Sequence, residues 1–298
     1  MYGSDVSAVF LKNSAVCFSL ETLAERILTQ PETGDVDSIE PTSSGRDLLE
    51  AMKTYVAELG VESRVVFRAS SSSSLALANV VKPGSGASDR RLVVNYNPDA
   101  CIPRSLVAGV CAHEIGTHLL RMLNDNLQVW SGSSRKSYRL SPHMATEEGL
   151  ATLNTLVASN ELSLRHSALN YWAVCQGARM SFSALFACLA PFLPDPTRRF
   201  RLCVRVKRGL VDTAKHGACT LDQNYFRGAV DLLRNLEHTD MRLLYCGQIA
   251  RRDLLDSRLR NVLTMHQTIL PPFLRCSTAT KDYMKRLVQI RQFNGVDM

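Results

Sequence analysis

The segment His113-Glu114-Ile115-Gly116-Thr117-His118 lies in the middle of an apolar stretch with helical character. Two imidazoles and a carboxylate inside an apolar helix must find polar or metal partners, because burying an unpaired polar group is costly. The common zinc-binding helix, H-E-x-x-H, has its histidines four residues apart on one face. Here they are five residues apart, which in a regular α-helix separates them by roughly 140° around the axis. Both could reach one metal only through a local widening such as a π-bulge, and Gly116 lowers the cost of that distortion.

A second polar motif, Thr146-Glu147-Glu148-Gly149-Leu150-Ala151, opens the next predicted helix. Catalytic zinc sites use three protein ligands, often including a carboxylate, and leave the fourth position to water. Either glutamate is therefore a candidate third ligand, although acidic residues at a helix start also favour the positive end of the helix dipole. From the residues alone, a second interpretation stays open, in which the two histidines are core residues with local polar partners.

The two motifs, HEIGTH and EEGLA, resemble those of a zinc carboxypeptidase family that includes the microtubule-associated tyrosine carboxypeptidases. Many bacterial relatives in that family are named after a QEGLA motif. The resemblance continues through residues 205–213 (RVKRGLVDT) and 222–225 (DQNY), and it covers about residues 60 to 275. It does not extend over the part of the chain before residue 60.

The resemblance implies a ligand set, a catalytic base and a substrate. His113, His118 and Glu148 are the expected Zn²⁺ ligands, and Glu147 is not expected to bind. Glu114 is the expected general base, which takes a proton from the zinc-activated water. The implied function is a zinc-dependent carboxypeptidase that removes a C-terminal residue from an acidic protein tail, with the tyrosine of α-tubulin tails as the candidate substrate and microtubules as a candidate partner. The alternatives are a non-catalytic or regulatory zinc-binding module and a metallohydrolase that acts on another amide.

A carboxypeptidase also needs a donor for the oxyanion and a cation for the terminal carboxylate of its substrate. Tyr225 is the first candidate for the oxyanion donor and His143 is the second, although a tyrosine at this position could equally pack between helices. Four basic residues are candidates for binding the carboxylate: Arg121, Arg205, Lys207 and Arg208. Arg121 follows His118 by three residues and so lies on a nearby face of the zinc helix. The other three also fit a solvated face near a helix end, where cations are favourable.

The hydrophobic pattern predicts an α+β fold, mostly helical, with a small antiparallel sheet before the zinc helix. The predicted strands are Val61–Arg68, Leu75–Val81 and Arg91–Tyr96. The last of these could pair with an extended peptide as an added edge. The later predicted helices include Ala168–Leu189 and Asp240–Ala250. We expect an N-terminal helical segment over residues 1–60 and a zinc metallopeptidase catalytic domain over residues 61–298.

Composition narrows the class of protein. The 298 residues include 45% hydrophobic residues, which excludes a disordered or fibrous chain, and a net charge of +7, which suits acidic partners. Nine cysteines with no CxxC pair indicate reduced thiols in an intracellular protein. We expect no membrane association, because a membrane span needs roughly 20 apolar residues, and no nucleic-acid partner, because no binding module is present. The expected location is cytoplasmic or cytoskeletal.

Overall fold

The structure is a computed structural model that describes residues 15–31, 41–70, 77–83, 89 and 91–297. Helices form most of it, which confirms the predicted α+β class. The α-helices are α1 (Glu21–Thr29), α2 (Gly45–Leu59), α3 (Leu106–His113), α4 (Leu120–Asp125), α5 (Met144–Ala158), α6 (Arg165–Gly177), α7 (Phe182–Cys188), α8 (Pro196–Lys207), α9 (Gln223–Arg234), α10 (Ser257–Arg260) and α11 (Ser277–Phe293). The strands are β1 (Thr42–Ser44), β2 (Val65–Ala69), β3 (Ala78–Val81), β4 (Leu92–Tyr96) and β5 (Cys101–Pro103).

The strands form two small sheets. In the larger one the strand order is β2-β4-β3, with β4 antiparallel to β3 and parallel to β2. The prediction of antiparallel pairing is therefore confirmed for β3 and β4 and wrong for β2 and β4. The predicted strand Leu75–Val81 begins outside the described residues, and its described part forms β3. In the second sheet, β1 pairs antiparallel with β5 just before α3.

The prediction that the strand Arg91–Tyr96 offers a free edge is wrong. This strand is β4, which lies in the middle of the sheet with a neighbour on each side. Its first three residues, Leu92, Val93 and Val94, are all buried. Consecutive buried residues are typical of a strand that is covered on both faces, rather than of an edge strand that alternates between core and solvent. An extended peptide therefore has no open edge to pair with at this strand.

The described N-terminal helices pack into the same hydrophobic core as the rest of the chain. α1 contributes Ala24 and Ile27 to this core and packs against α6. α2 begins at a capping box formed by Ser44 and Asp47, and it ends at a left-handed C-cap, Gly60, with a φ of 69°. The division of the chain at residue 60 stays a prediction.

Two predicted helices differ from the observed ones. The pattern over 168–189 forms two helices, because α6 ends at Gly177 and Ser181 caps a new helix by accepting a hydrogen bond from the Ala184 amide. The pattern over 240–250 forms only a 3₁₀ turn at Leu243–Cys246. The carbonyl groups of Gly247 and Ile249 accept hydrogen bonds from a distant side chain instead of continuing a helix. No helix in the described part of the chain is long and apolar enough to cross a membrane.

A contact between two glycines sets the distance between α5 and α9. A Cβ atom on Gly149 would overlap the backbone of Gly228, and one on Gly228 would overlap the carbonyl of Ala145. The two helix backbones therefore touch, which only residues without side chains permit. This crossing brings Glu148 and Tyr225 into one region, because each lies within three residues of one of these glycines.

Candidate metal centre

The two histidines of the HEIGTH motif meet because the helix widens between them. Glu114–Leu119 is a π-helical segment inserted between α3 and α4, as the spacing of the histidines requires. The rings of His113 and His118 are consequently neighbours, with centroids 5.0 Å apart. Gly116 is needed there for a second reason, because a Cβ atom on it would come within 2.8 Å of the hydroxyl oxygen of Tyr55.

Glu148 at the start of α5 completes a group of three potential ligands. One ligand atom from each of His113, His118 and Glu148 lies within 4.8 Å of the other two. Glu148 Oε2 is 3.9 Å from His113 Nε2 and 3.6 Å from His118 Nε2. In the described part of the chain, this buried oxygen has no hydrogen-bond partner. Two imidazoles and a carboxylate form a donor set that suits Zn²⁺, and the unpartnered oxygen fits a cation at their centre.

Each histidine is oriented by a hydrogen bond from its other ring nitrogen. His113 Nδ1 lies 3.1 Å from the Thr155 hydroxyl, and His118 Nδ1 lies 3.0 Å from Glu147 Oε1. Such outer partners fix the tautomer and leave Nε2 available for a metal. Both partners lie on α5, the helix that also carries Glu148. Glu147 therefore orients the His118 ring and is not one of the three converging groups.

The pKa values of these groups follow from burial and neighbouring charges. Burial, together with His118, lowers the pKa of His113 to about 3, so this imidazole is neutral and able to coordinate. Burial alone would lower the pKa of His118, but the carboxylates of Glu147 and Glu148 hold it well above its usual value. Burial opposes ionisation of Glu147, yet the adjacent Arg121 guanidinium and His118 bring the pKa of this carboxyl down to about 2.

The carboxyl group of Glu114 lies in the same region but is not part of the converging set. Burial raises the pKa of Glu114 to about 7, and the nearby Glu148 carboxylate adds to this while His118 opposes it. A carboxyl group with a pKa near neutrality is suited to accept and return protons. A divalent cation at the centre would lower this pKa again, because its charge favours the ionised form.

The cluster opens into a cavity of about 490 Å³. The apolar part of its wall consists of Leu77, Ala78, Leu106, Val110, Leu156 and Leu164. The polar part consists of His113, Glu114, Thr152, Thr155, Glu161, Ser163, His166, Ser167, Asn170, Arg205 and Tyr225. A cleft that combines an apolar wall with convergent polar groups is typical of a site for a small ligand or a single side chain.

Tyr225 and Arg205 are the two sequence-predicted residues that share this cavity with the cluster. The Tyr225 ring is stacked near the His113 ring, at 6.3 Å between centroids, and the Arg205 guanidinium carbon is 6.0 Å from the Tyr225 ring centre. Burial and then the Glu148 carboxylate raise the pKa of Tyr225, so its hydroxyl stays protonated and able to donate. Arg205 Nη2 bonds Asp222 Oδ1 at 2.8 Å, and Arg208 pairs with the same carboxylate from outside the cavity wall. Two guanidinium groups thus share one carboxylate.

Lys207 does not fit the role of a substrate-binding residue. Its side chain is buried, and Nζ lies within hydrogen-bonding distance of the carbonyl oxygens of Gly177, Met180, Lys215 and Gly217. These carbonyls belong to the end of α6 and to the loop after α8. Lys207 therefore joins two chain segments and has no donor directed at the cavity.

Arg121 does not fit that role either. Its side chain is 0% exposed, and its guanidinium donates hydrogen bonds to the carbonyls of Gly247 and Ile249. It also forms an ion pair with Glu147, at 2.8 Å between Nη1 and Oε2. Arg121 contacts Glu147, and Glu147 in turn contacts His118, so the effect of Arg121 on the cluster is indirect. His143, the second candidate for the oxyanion donor, is outside the cavity wall, with Nδ1 3.2 Å from Arg135 Nη2.

Replacing Arg121 with methionine is expected to lower the free energy of unfolding by about 3–5 kcal/mol, because it leaves the buried Glu147 carboxylate without its cation. Denaturant unfolding monitored by circular dichroism measures this loss. Arg258→Met is the control, because that arginine is 84% exposed and pairs with Asp256 at the surface, where ion pairs contribute little. Equal effects of the two substitutions would contradict a role for Arg121 in compensating the Glu147 charge.

The cavity-wall residues that the sequence did not single out include three on one helix: His166, Ser167 and Asn170. They lie on the first turns of α6, 15 to 19 residues after the end of the second motif and 48 to 52 after the end of the first. Burial, followed by Arg205 and Arg198, lowers the pKa of His166, so its ring is neutral. Nothing in the sequence places α6 beside the zinc helix, so these residues carried no recognisable pattern.

The sequence matches the family model described as microtubule-associated tyrosine carboxypeptidase over residues 19–292. The chain belongs to this family. The match begins well before residue 60, so the family includes the N-terminal helices that pack into the core. The three converging residues, Glu114 and the cavity residues described above all lie within the matched region.

Curated relatives carry the same family name. The chain is 36% identical over 191 residues to the microtubule-associated tyrosine carboxypeptidase 1 of mouse, a match that covers 63% of this chain and 40% of the relative. It is 33% identical over 192 residues to a mouse protein provisionally named tyrosine carboxypeptidase MATCAP2, with 64% of this chain and 37% of the relative covered. The chain thus spans about two fifths of the length of the curated relatives it matches.

A solved structure with a related fold comes from Colwellia psychrerythraea, where the protein is provisionally described as a lipoprotein. It aligns with 98% of this chain and 51% of its own chain, at a TM-score of 0.50 and 12% sequence identity. At this identity the likeness concerns the fold alone.

Proposed function

We propose that this protein is a zinc-dependent carboxypeptidase that removes the C-terminal residue of an acidic protein tail. The observation that carries the proposal is the convergence of His113, His118 and Glu148 at the edge of a cavity whose wall includes His113 and Glu114. Membership of a family named for tyrosine carboxypeptidases supports the same reaction.

His113, His118 and Glu148 would hold the ion, through Nε2 of each ring and a carboxylate oxygen. When bound, Zn²⁺ supplies Lewis acidity that activates a water molecule and polarises the scissile carbonyl. The remaining chemistry belongs to the side chains. Thr155 and Glu147 keep the two imidazoles in the orientation that directs Nε2 inward, and the protein thereby fixes the geometry before substrate arrives.

Glu114 is the proposed general base. Its carboxylate accepts a proton from the attacking water and then passes this proton to the amine that leaves when the peptide bond breaks. Burial raises the pKa of this carboxyl and so favours acceptance of a proton, while the charge of a bound ion would oppose that rise and favour release of the proton to the amine. Because Glu114 lies next to the ligand His113 in the π-helical segment, its carboxyl is close to the ligand cluster without joining it.

Tyr225 and Arg205 are the proposed groups that bind the substrate in this cavity. The protonated Tyr225 hydroxyl donates a hydrogen bond to the oxyanion that develops on the scissile carbonyl. Arg205, which shares Asp222 with a second arginine, offers donors to the terminal carboxylate of the substrate. The apolar wall of the cavity is suited to the ring of a C-terminal tyrosine.

An acidic tail is the proposed substrate class because the chain has a net charge of +7 and because Arg205 and Arg208 share the single carboxylate of Asp222 beside the cavity. Relatives of the family are named for microtubules, so the tail of α-tubulin is the candidate to test and the cytoskeleton the candidate location. Oppositely charged partners associate faster and more selectively.

The proposal is tested with two acidic peptides that end in tyrosine and differ only in whether the C-terminus is a free acid or an amide. The zinc-loaded protein is expected to remove a single residue from the free acid and to leave the amide intact, as mass spectrometry would show. Cleavage of both peptides would indicate an endopeptidase. Tight zinc binding without cleavage of either would favour a non-catalytic zinc module.

A further inference from the structure

We propose that a buried hydrogen-bond network centred on Asn154 holds the zinc helix in its π form and thereby sets the metal affinity of the site. The proposal rests on the proposed function only in that the ligand cluster binds a metal. It concerns four residues that are not ligands and do not line the cavity: Thr117, Asn154, Tyr245 and Tyr283.

Thr117 occupies the position that the second histidine holds in a regular H-E-x-x-H helix, four residues after His113. In a regular α-helix this residue would share the face of His113, and His118 would lie about 100° further around the axis. In the observed π form, Thr117 is 0% exposed and faces the protein interior, while His118 takes its place beside His113. The choice between the two helical forms therefore decides which side chain reaches the metal.

The Thr117 hydroxyl has two hydrogen-bond partners. It donates to the carbonyl of Ala112 in α3, five residues earlier, at 2.8 Å, and five residues is the spacing of a π-helical turn. It also accepts a hydrogen bond of 2.7 Å from the side-chain amide of Asn154. The first bond joins the widened turn to the end of α3, and the second joins it to α5.

Asn154 joins this turn to two further parts of the chain. Its amide nitrogen also donates to the Tyr245 hydroxyl at 2.9 Å, and its carbonyl oxygen accepts from the Tyr283 hydroxyl at 2.7 Å. Tyr245 lies in the 3₁₀ turn and Tyr283 lies on α11. Asn154 is 1% exposed and Tyr283 is 2% exposed, so water does not compete for these bonds.

The position of Asn154 on α5 links the network to the ligands. The same helix carries Glu148, which completes the cluster, and Thr155, which orients His113. π-helical turns are rare and need support from their surroundings. Without the bonds from Asn154, the turn loses the partner that keeps Thr117 inward, and relaxation toward an α-helix moves His118 away from Glu148.

The test compares two buried asparagines with similar hydrogen bonds. Asn154→Ala is expected to weaken zinc binding by about 10- to 100-fold, the usual effect of losing an outer partner of a metal site. Asn294→Ala is the matched control, because Asn294 is 0% exposed and bonds Leu164, Leu162 and Ile290 in another part of the core. Zinc affinity is measured by competition with a chromophoric chelator, and the control is expected to leave it unchanged.

Two milder variants keep the test decisive if Asn154→Ala does not fold. Thr117→Val preserves shape and removes the hydroxyl, and it is expected to weaken zinc binding as strongly as the loss of Asn154. Tyr283→Phe removes one bond at the outer end of the network, with an expected loss of about 2- to 10-fold. Folded Thr117→Val and Tyr283→Phe proteins that bind zinc as tightly as the wild type would overturn the proposal.

Amide hydrogen exchange of the metal-free protein provides a readout that does not depend on zinc. Exchange in the π-helical segment is expected to be about tenfold faster in Thr117→Val than in the wild type, and unchanged in Asn294→Ala. Equal exchange in all three proteins would show that the network does not hold the π form. A wild-type protein that binds no zinc would instead contradict the proposed function, while this exchange comparison would still decide the role of the network.

Discussion

Replacing Glu114 with glutamine is expected to lower kcat for removal of a C-terminal tyrosine by about 10²–10⁴-fold, the range over which positioned general bases act. Glutamine has nearly the same shape but cannot accept the proton of the attacking water. Zinc content is expected to stay at the wild-type level, because the three groups that converge are His113, His118 and Glu148. The rate is measured by mass spectrometry of peptide products, and the zinc content by elemental analysis of the purified protein.

Glu50→Gln is the control for this experiment, because Glu50 is an exposed residue that pairs with Lys53 on the surface of α2. Its activity is expected to equal that of the wild type. Full activity of Glu114→Gln would show that Glu114 is not the general base. Loss of zinc together with activity would mean that Glu114 binds the metal, which would require a different ligand set from the one proposed.

Replacing His118 with alanine is expected to abolish stoichiometric zinc binding and, with it, hydrolysis. A ligand that binds only the folded state stabilises it, by about 4 kcal/mol when its concentration is a thousand times its Kd. Addition of a chelator is therefore expected to lower the melting temperature of the wild type and to leave that of His118→Ala unchanged. Calorimetry with and without chelator measures the difference.

His238→Ala provides the matched comparison, because His238 is an exposed histidine in a 3₁₀ turn that lies outside the cluster. It is expected to respond to the chelator as the wild type does. A chelator effect of the same size in His118→Ala would place the stabilising metal elsewhere in the protein.

The three converging residues could be predicted from the sequence because they lie in two recognisable motifs. Histidines five residues apart in an apolar helix are compatible with one metal only if the helix widens, and the observed π segment has this form. The adjacent glutamates of α5 follow closely in the chain, so the third ligand could be named with the aid of the family resemblance. The geometry now brings His113, His118 and Glu148 together.

The roles of the basic residues could not be predicted in the same way. Arg121 and Lys207 lie beside recognisable motifs, and an arginine near a metal helix suggests a substrate contact. Both are buried, and the carbonyl groups that bind them belong to distant or irregular segments. Long side chains can be directed into the protein or out of it from the same backbone position, so the sequence pattern does not distinguish these outcomes.

The central position of β4 and the cavity residues of α6 could not be predicted from the sequence for a related reason. Strand order depends on which strands meet after the chain has folded back on itself. A short apolar run has the same sequence pattern at an edge and in the middle of a sheet. His166 and Asn170 line the cavity only because α6 packs near the zinc helix. Such contacts join residues far apart in the chain.

Sequence patterns alone were sufficient to predict the widened turn between His113 and His118 and the mostly helical α+β class, because each depends on residues within a few turns of one another. The burial of charged side chains, the central strand of the sheet and the support of the widened helix depend on packing between distant segments, so they became visible only in the folded protein. Asn154 illustrates the difference. Its partners Thr117, Tyr245 and Tyr283 are spread over more than 160 residues, and only packing brings their hydroxyl groups within hydrogen-bonding distance of one amide.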